Sequence, residues 1–177
     1  NVEVASKSGD NEYWCMALLD YASVYWEGYK EERADQVLKI CNEALALYQE
    51  HSGEFRYSYY IYTLLMTYLA NAYDALHELD KALPYAERAY EASINMEVSD
   101  YIIPATLRIS SILKQKKQYA QAEKYVYHIY TLFTEEGEPN YYTSEITLEM
   151  ADISTHLGKY KEAAGYYNEN IHQMYDR

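Results

Sequence analysis

The side chains best suited to chemistry are scattered along this chain, and their spacing forms no catalytic or metal-binding motif. The five histidines stand at 51, 77, 128, 156 and 172, and none belongs to an H-E-x-x-H pair that would hold zinc from one helix face. The sequence also has no G-x-x-x-x-G-K-S/T loop for a phosphate and no G-x-S-x-G turn for a serine nucleophile. We therefore expect a non-catalytic protein that needs no metal and no cofactor.

The elements that must position any functional residue are paired amphipathic helices. The first helix of each pair carries a small residue where two helices must approach closely, at Ala22, Ala70, Ser110 and Ala151. The second helices carry matching residues spaced by four and then three, which are Val37, Cys41 and Ala44; Ala82, Ala86 and Ala89; Ala122, Val126 and Ile129; and Ala163, Tyr167 and Asn170. The small residues recur at intervals of 48, 40 and 41. The first pair thus has extra residues, predicted at Glu27 to Arg33 as a longer helix or a protruding loop.

This pattern resembles the tetratricopeptide repeat, W-x-x-L-G-x-x-Y followed by A-x-x-x-F-x-x-A, with a longer unit. The matching segments are Leu18-x-x-Tyr21-Ala22-x-x-Tyr25, Met66-x-x-Leu69-Ala70-x-x-Tyr73, Thr106-x-x-Ile109-Ser110-x-x-Leu113 and Thr147-x-x-Met150-Ala151-x-x-Ser154. The resemblance implies an all-α fold, a right-handed superhelical array of antiparallel helix hairpins (an α-solenoid) with about four repeats. We expect a single domain with repeats at approximately 11–51, 55–94, 100–134 and 140–176, a linker at Glu135 to Asn140, and residues 1–8 as the tail of a preceding helix.

In stacked hairpins the first helices line the concave side, so their free face is the predicted binding surface. The residues on that face are Leu19, Ser23, Trp26, Thr67, Asn71, Asp74, Leu107, Ser111, Lys114, Leu148, Asp152 and His156. Apolar anchors between separated polar groups suit an extended peptide or a helix lying in a groove.

Asn71 is the most informative residue of this surface, because an amide can pair with both the N–H and the C=O of a peptide backbone. In related repeats an asparagine at the matching position often does so, which implies the same role here; a solvated polar residue is the open alternative. Trp26 either anchors a ligand or packs against the next repeat. Some members of the family that this chain resembles clamp the C-terminal carboxylate of chaperones with lysines. Here Thr67 stands at the first of these positions, and Lys114 is the only Lys or Arg among the predicted surface residues. We predict no chaperone-tail binding.

Composition limits the partners. Lys and Arg total 15 against 28 Asp and Glu, a net charge of −13 that opposes direct nucleic-acid binding. The negative charge either attracts a basic protein segment or keeps the surface solvated.

No run approaches the ~20 apolar residues of a membrane span, and there is no signal-peptide pattern. Cys15 and Cys41 have apolar neighbours, so we expect buried thiols in a reducing cytoplasm, with a periplasmic location left open.

The leading hypothesis is an interaction module that binds a protein or peptide. Turns such as Leu157-Gly158-Lys159-Tyr160 make the chain resemble the repeat regions of larger bacterial signalling and regulatory proteins. Because the sequence begins without Met inside an expected helix, we expect an excised piece of such a protein. Two alternatives stay open. One is a ligand sensor that binds a small peptide or metabolite in the groove. The other is an oligomerisation module that pairs through a terminal helix, with Tyr166, Tyr167, Ile171 and Met174 exposed.

Overall fold

A computed structural model describes residues 2–135 and 141–175. For residues 28–31, 135, 141, 142 and 175 it describes the backbone alone. Within these ranges the chain is helical apart from short turns, and no strand occurs. The α-helices are α1 Val2–Ser6, α2 Asn11–Tyr29, α3 Ala34–His51, α4 Ser58–Ala75, α5 Leu79–Met96, α6 Ser99–Gln115, α7 Tyr119–Glu135, α8 Tyr141–His156 and α9 Tyr160–Tyr175. Residues 136–140 of the predicted linker lie outside the described ranges.

The extra residues of the first helix pair lie in two places. Helix α2 continues to Tyr29, and a 3-10 helix, Lys30–Arg33, connects it to α3, so this segment is a longer helix and not a loop. Further extra residues follow α3, where the 3-10 helix Ser52–Glu54 and residues 55–57 precede α4, whereas only residues 97 and 98 separate α5 from α6. The prediction that placed the extra residues at Glu27 to Arg33 is therefore correct only in part.

The chain divides into two compact units, Asn1–Glu97 and Val98–Arg177. In the first unit α2 packs on α3, α3 on α4 and α4 on α5, and α1 packs on α2. In the second unit the same order recurs, with α6 on α7, α7 on α8 and α8 on α9. The first helices of successive pairs also touch within each unit, α2 with α4 and α6 with α8.

The small residues predicted at the helix contacts are buried. Ala22, Ala70, Ser110 and Ala151 have no exposed surface, and Ala82 and Ala122 on the second helices are equally covered. Absence of a long side chain at these points lets two helix backbones approach, and leucine and isoleucine fill the wider gaps beside them. Each fully buried Leu or Ile contributes roughly 1.5–3 kcal/mol relative to its exposed state.

Two tyrosines at positions of the helix-pair pattern are not buried as these small residues are. Tyr21 and Tyr167 are exposed, although the matching positions of other pairs, Leu69 and Val126, are buried. Tyr21 lies on the side of α2 next to α1 and lines the space between the two helices. Its hydroxyl meets that of Tyr25 at 2.9 Å.

The turns inside three helix pairs have the same backbone geometry. His77, Lys117 and Gly158 occupy equivalent positions with φ of 58°, 59° and 73°. In each turn the next residue donates its N–H five residues back, as from Glu78 to the carbonyl of Tyr73 at 2.9 Å. This left-handed C-terminal cap satisfies carbonyls that the helix end leaves free.

Acidic side chains lie at the starts of several helices. The Oδ1 of Asp10 accepts the N–H of Tyr13 at 2.9 Å and so caps α2. Asp80 lies in the first turn of α5 and Asp100 in the first turn of α6, where a negative charge is favourable at the positive end of the helix dipole.

Both cysteines are free and buried, as predicted. Burial raises the pKa of the thiols of Cys15 and Cys41 to about 12. Both thiols therefore stay protonated and weakly nucleophilic at neutral pH.

Candidate functional site

The predicted surface residues of the first unit lie on α2 and α4, which pack against each other. The hydroxyl groups among them already bond to their own helices: Ser23 donates to the carbonyl of Asp20 at 2.8 Å, and Thr67 donates to that of Thr63 at 2.8 Å. Burial raises the pKa of Tyr68 on α4, and a hydrogen bond with Ser23 on α2 opposes this shift. Tyr68 and Ser23 thus belong to the contact between α2 and α4.

Leu19 and Trp26, the apolar members of this surface, differ in exposure. Leu19 is buried in the core of the first unit, so it supports the helix contact and offers a partner no surface. Trp26 and Asp74 are half-buried and keep part of their surface.

Asn71 is the exceptional residue of the first unit. Its side chain is only 7% exposed, yet its Oδ1 has no hydrogen-bond partner in the described part of the chain. Leaving a buried amide oxygen unpaired costs about 1–3 kcal/mol. Asn71 is therefore not a solvated side chain, and its Oδ1 keeps an unused capacity to accept a hydrogen bond.

In the second unit the structure brings three of the six predicted residues together. The Nζ of Lys114 lies 2.8 Å from the Oδ2 of Asp152, and the Oδ1 of Asp152 lies 3.5 Å from the Nδ1 of His156. Glu149 completes the group, because its Oε1 lies 2.7 Å from Lys114 and accepts the hydroxyl of Ser110 at 2.5 Å. We call Ser110, Lys114, Glu149, Asp152 and His156 the α6–α8 polar network.

The network follows from helix geometry. Ser110 and Lys114 are one turn apart on α6, and Glu149, Asp152 and His156 follow at intervals of three and four on α8. The sequence analysis missed Glu149 as a member, and assigned Ser110 to packing alone. The three-residue interval between Glu149 and Asp152 is the signal that points to it.

The charge of Lys114 is satisfied within the chain. Burial lowers the pKa of Lys114, but hydrogen bonds and attraction from Asp152 and Glu149 outweigh burial, so the net shift is upward. A cation held by two carboxylates is less available to an acidic partner. This part of the predicted surface is consequently committed to joining α6 to α8.

His156 also has neighbours of its own. Its ring stacks on Tyr119 with centroids 4.6 Å apart, and its Nδ1 lies 3.0 Å from the carbonyl oxygen of Asp152. The remaining predicted residues of the second unit, Leu107 and Ser111, are half-buried, whereas Leu148 is exposed.

The first unit also has an open cleft that the sequence analysis did not predict. Its volume is about 600 Å³, and it lies between α1 and α2. The lining residues are Val2, Glu3, Ala17, Asp20, Tyr21 and Val24. The α2 members recur at intervals of three, one and three, so they form one face of that helix.

Within residues 2–135 and 141–175, no three His, Cys, Asp or Glu side chains are grouped as a metal ion would require. The helices in these ranges are also too short or too polar to cross a bilayer. No protein-family model matches this chain, and no curated protein matches it.

Proposed function

We propose that this chain is a non-catalytic module that binds a peptide or an extended protein segment along α2 and α4. The single observation that carries the proposal is the buried Oδ1 of Asn71, which lacks a partner within the described residues. As part of the same proposal, the helix pairs form a right-handed superhelical array of the tetratricopeptide type. The array belongs to a larger bacterial signalling or regulatory protein, which is what the sequence resemblance implies.

The chemistry of the proposed contact is that of a peptide amide. A backbone N–H of the guest donates to Oδ1 of Asn71, and the Nδ2 of Asn71 donates to a backbone carbonyl. Because the Oδ1 is buried, a neighbouring side chain has to move aside to admit the guest N–H, and the new hydrogen bond then satisfies an acceptor that is unpaired within the described residues. Trp26, which is half-buried on the adjoining helix α2, supplies an apolar anchor.

The net charge of −13 favours a basic guest. A negative protein attracts a positive segment before contact and so raises the association rate. We therefore propose that the preferred peptides carry Lys or Arg outside the central amide contact.

Asn71→Ala tests the proposed contact directly. A random dodecapeptide display library is panned on the full chain, and affinities of the selected peptides are measured by fluorescence anisotropy. We expect Asn71→Ala to weaken a selected peptide about tenfold or more, because it removes both proposed hydrogen bonds, each worth roughly 0.5–1.5 kcal/mol, and tenfold corresponds to ~1.4 kcal/mol. The exposed Asn42 on α3 provides the control, because Asn42→Ala leaves the affinity unchanged.

Thermal melting separates a binding role from a structural role. Asn71→Ala removes a buried oxygen that is unpaired within the described residues, so we expect stability to stay unchanged or to rise slightly. Equal peptide affinity in Asn71→Ala and the native chain would refute the proposed contact. A lower melting temperature together with weaker binding would assign Asn71 to the fold instead.

A further inference from the structure

The last helix, α9, exposes an apolar stripe along its length. Its members, spaced by four, three, four and three, are Tyr160, Ala164, Tyr167, Ile171 and Met174, which we call the α9 stripe. The four large side chains are 71%, 39%, 50% and 60% exposed, in chain order. This spacing is that of the seam between two helices of a coiled coil.

The equivalent face of α7 is covered. Counting back 41 residues, the interval from Ala163 to Ala122, places the equivalent residues at Tyr119, Glu123, Val126, Tyr130 and Phe133. Val126 is fully buried, and Tyr119 stacks on His156 of α8. The ring of Tyr130 meets Tyr166 edge-on at 5.3 Å, and its hydroxyl donates to Glu169 at 2.8 Å.

This comparison corrects one expectation and sharpens another. Tyr166 was expected on the exposed end face, but it is half-buried against Tyr130. The free face of α9 is the one that, on α7, receives other helices of this same chain. Its shape is therefore built for helix packing.

The charges around the α9 stripe allow a second copy of the chain to pack against it. Among the side chains that the structure describes up to Met174, the exposed ones that border the stripe are Lys161, Asn168 and His172, and none of these three is a carboxylate, although the whole chain has a net charge of −13. Glu169 is half-buried and accepts hydrogen bonds from Tyr130 and Gln173. Carboxylate repulsion between two copies is therefore weak at the described part of this face.

We propose that two copies of this chain associate through α9 packed antiparallel against α9, with a two-fold axis beside Tyr167. Such a contact is isologous and closes at two copies. The small residues Ala164 and Gly165 let the helix backbones approach. The proposal is independent of peptide binding at Asn71, which lies in the other compact unit.

The size of the stripe sets the strength of the dimer. With about 200 Å² for a fully exposed large side chain, the four exposed fractions provide roughly 450 Å² per copy. A stable specific dimer buries roughly 800 Å² per partner. The α9 contact is smaller, so it forms a reversible dimer that dissociates on dilution.

Analytical ultracentrifugation of the native chain, Ile171→Glu and Val24→Glu over a wide concentration range tests the proposal. Val24 is a matched control, because it is also exposed but lines the α1–α2 cleft of the other unit. The native chain and Val24→Glu are expected to show one monomer–dimer equilibrium, and Ile171→Glu to weaken it about tenfold or more. A native chain that stays monomeric, that grows beyond a dimer, or that associates equally well as Ile171→Glu would overturn the proposal. Loss of the dimer in Val24→Glu would overturn it too, since it indicates a head-to-tail contact.

A second pair of variants guards against effects on folding. Next to a two-fold axis, Tyr167→Glu places two negative charges together, and Tyr167→Lys places two positive charges together. Each variant alone is expected to lose the dimer, and an equimolar mixture is expected to regain it as a mixed dimer. Failure of the mixture to associate, with both variants folded by circular dichroism, counts against the antiparallel arrangement.

Discussion

Individual residues of the second unit show how a predicted binding group becomes structural. Lys114 was expected to be an available cation, but Glu149 and Asp152 hold its ammonium group at 2.7 and 2.8 Å. Both partners of the shorter pair are mostly buried. Removing one partner of a buried pair costs more than the pair itself contributes, because the remaining charge has lost its partner.

Lys114→Met tests this role. We expect the variant to lose about 1–3 kcal/mol of unfolding free energy at pH 7, since two carboxylates then lack their cation. Urea denaturation followed by circular dichroism provides the measurement. Lys124→Met is the control, because Lys124 is exposed and its replacement leaves stability nearly unchanged. Equal losses in the two variants would show that the network contributes nothing specific.

The pKa shift of Lys114 predicts how the stability difference between the native chain and Lys114→Met depends on pH. The pKa of Lys114 is raised in the folded state, so its stabilisation is complete below the unfolded value of about 10.4. The stabilisation is lost as the pH rises through the folded pKa. We therefore expect the contribution of Lys114 to the stability difference between the native chain and Lys114→Met to stay constant from about pH 7 to 9. Above about pH 10.4 this difference should shrink.

At the scale of helices and turns, the repeat unit is most regular in its left-handed caps. His77, Lys117 and Gly158 share one backbone conformation, but only the last is a glycine. A side chain in this region costs roughly 1 kcal/mol, because its Cβ crowds the carbonyl. Two turns of this chain thus carry strain that a third avoids.

Exchanging glycine at these turns is expected to move stability in opposite directions. Lys117→Gly relieves the left-handed strain and gains up to about 1 kcal/mol, whereas Gly158→Ala loses a similar amount. A Cβ at Gly158 would meet no atom within 4 Å, so its cost is conformational alone. Melting temperatures should shift by roughly 2–4 °C in each direction. A destabilised Lys117→Gly would mean that the lysine side chain makes a contact worth more than the strain.

At the scale of the whole molecule, charge opposes any self-association through α9. Two chains that each carry −13 repel one another at low ionic strength, even where the contact face itself lacks carboxylates. Salt screens this repulsion, with a Debye length of about 10 Å at 0.1 M. Apolar contacts are not weakened by the same salt.

The proposed dimer should therefore tighten with salt. We expect its dissociation constant to fall severalfold when sodium chloride increases from about 0.05 to 0.5 M, measured by sedimentation equilibrium. Peptide binding at Asn71, if the guest is basic, is expected to change in the opposite direction. Weaker self-association at high salt would indicate that ion pairs, and not the α9 stripe, join the two copies.

The sequence by itself determined the helical character of the chain and the side of each helix that is buried. Ala22, Ala70, Ser110 and Ala151 are covered as their spacing predicts, because a period of 3.6 residues places such positions on one face. The burial of Cys15 was predictable for the same reason. These are local properties, set by residues a few positions apart.

Only the tertiary structure decided which faces have a covering neighbour. Tyr21 and Leu69 stand at the same position of the pattern, yet Tyr21 is exposed beside the α1–α2 cleft and Leu69 is buried in the core of the first unit. The capture of Lys114 by Glu149 likewise depends on a helix that is distant in the sequence. A face is covered, paired or left free by helices far away in the chain, and one-dimensional spacing does not contain that information.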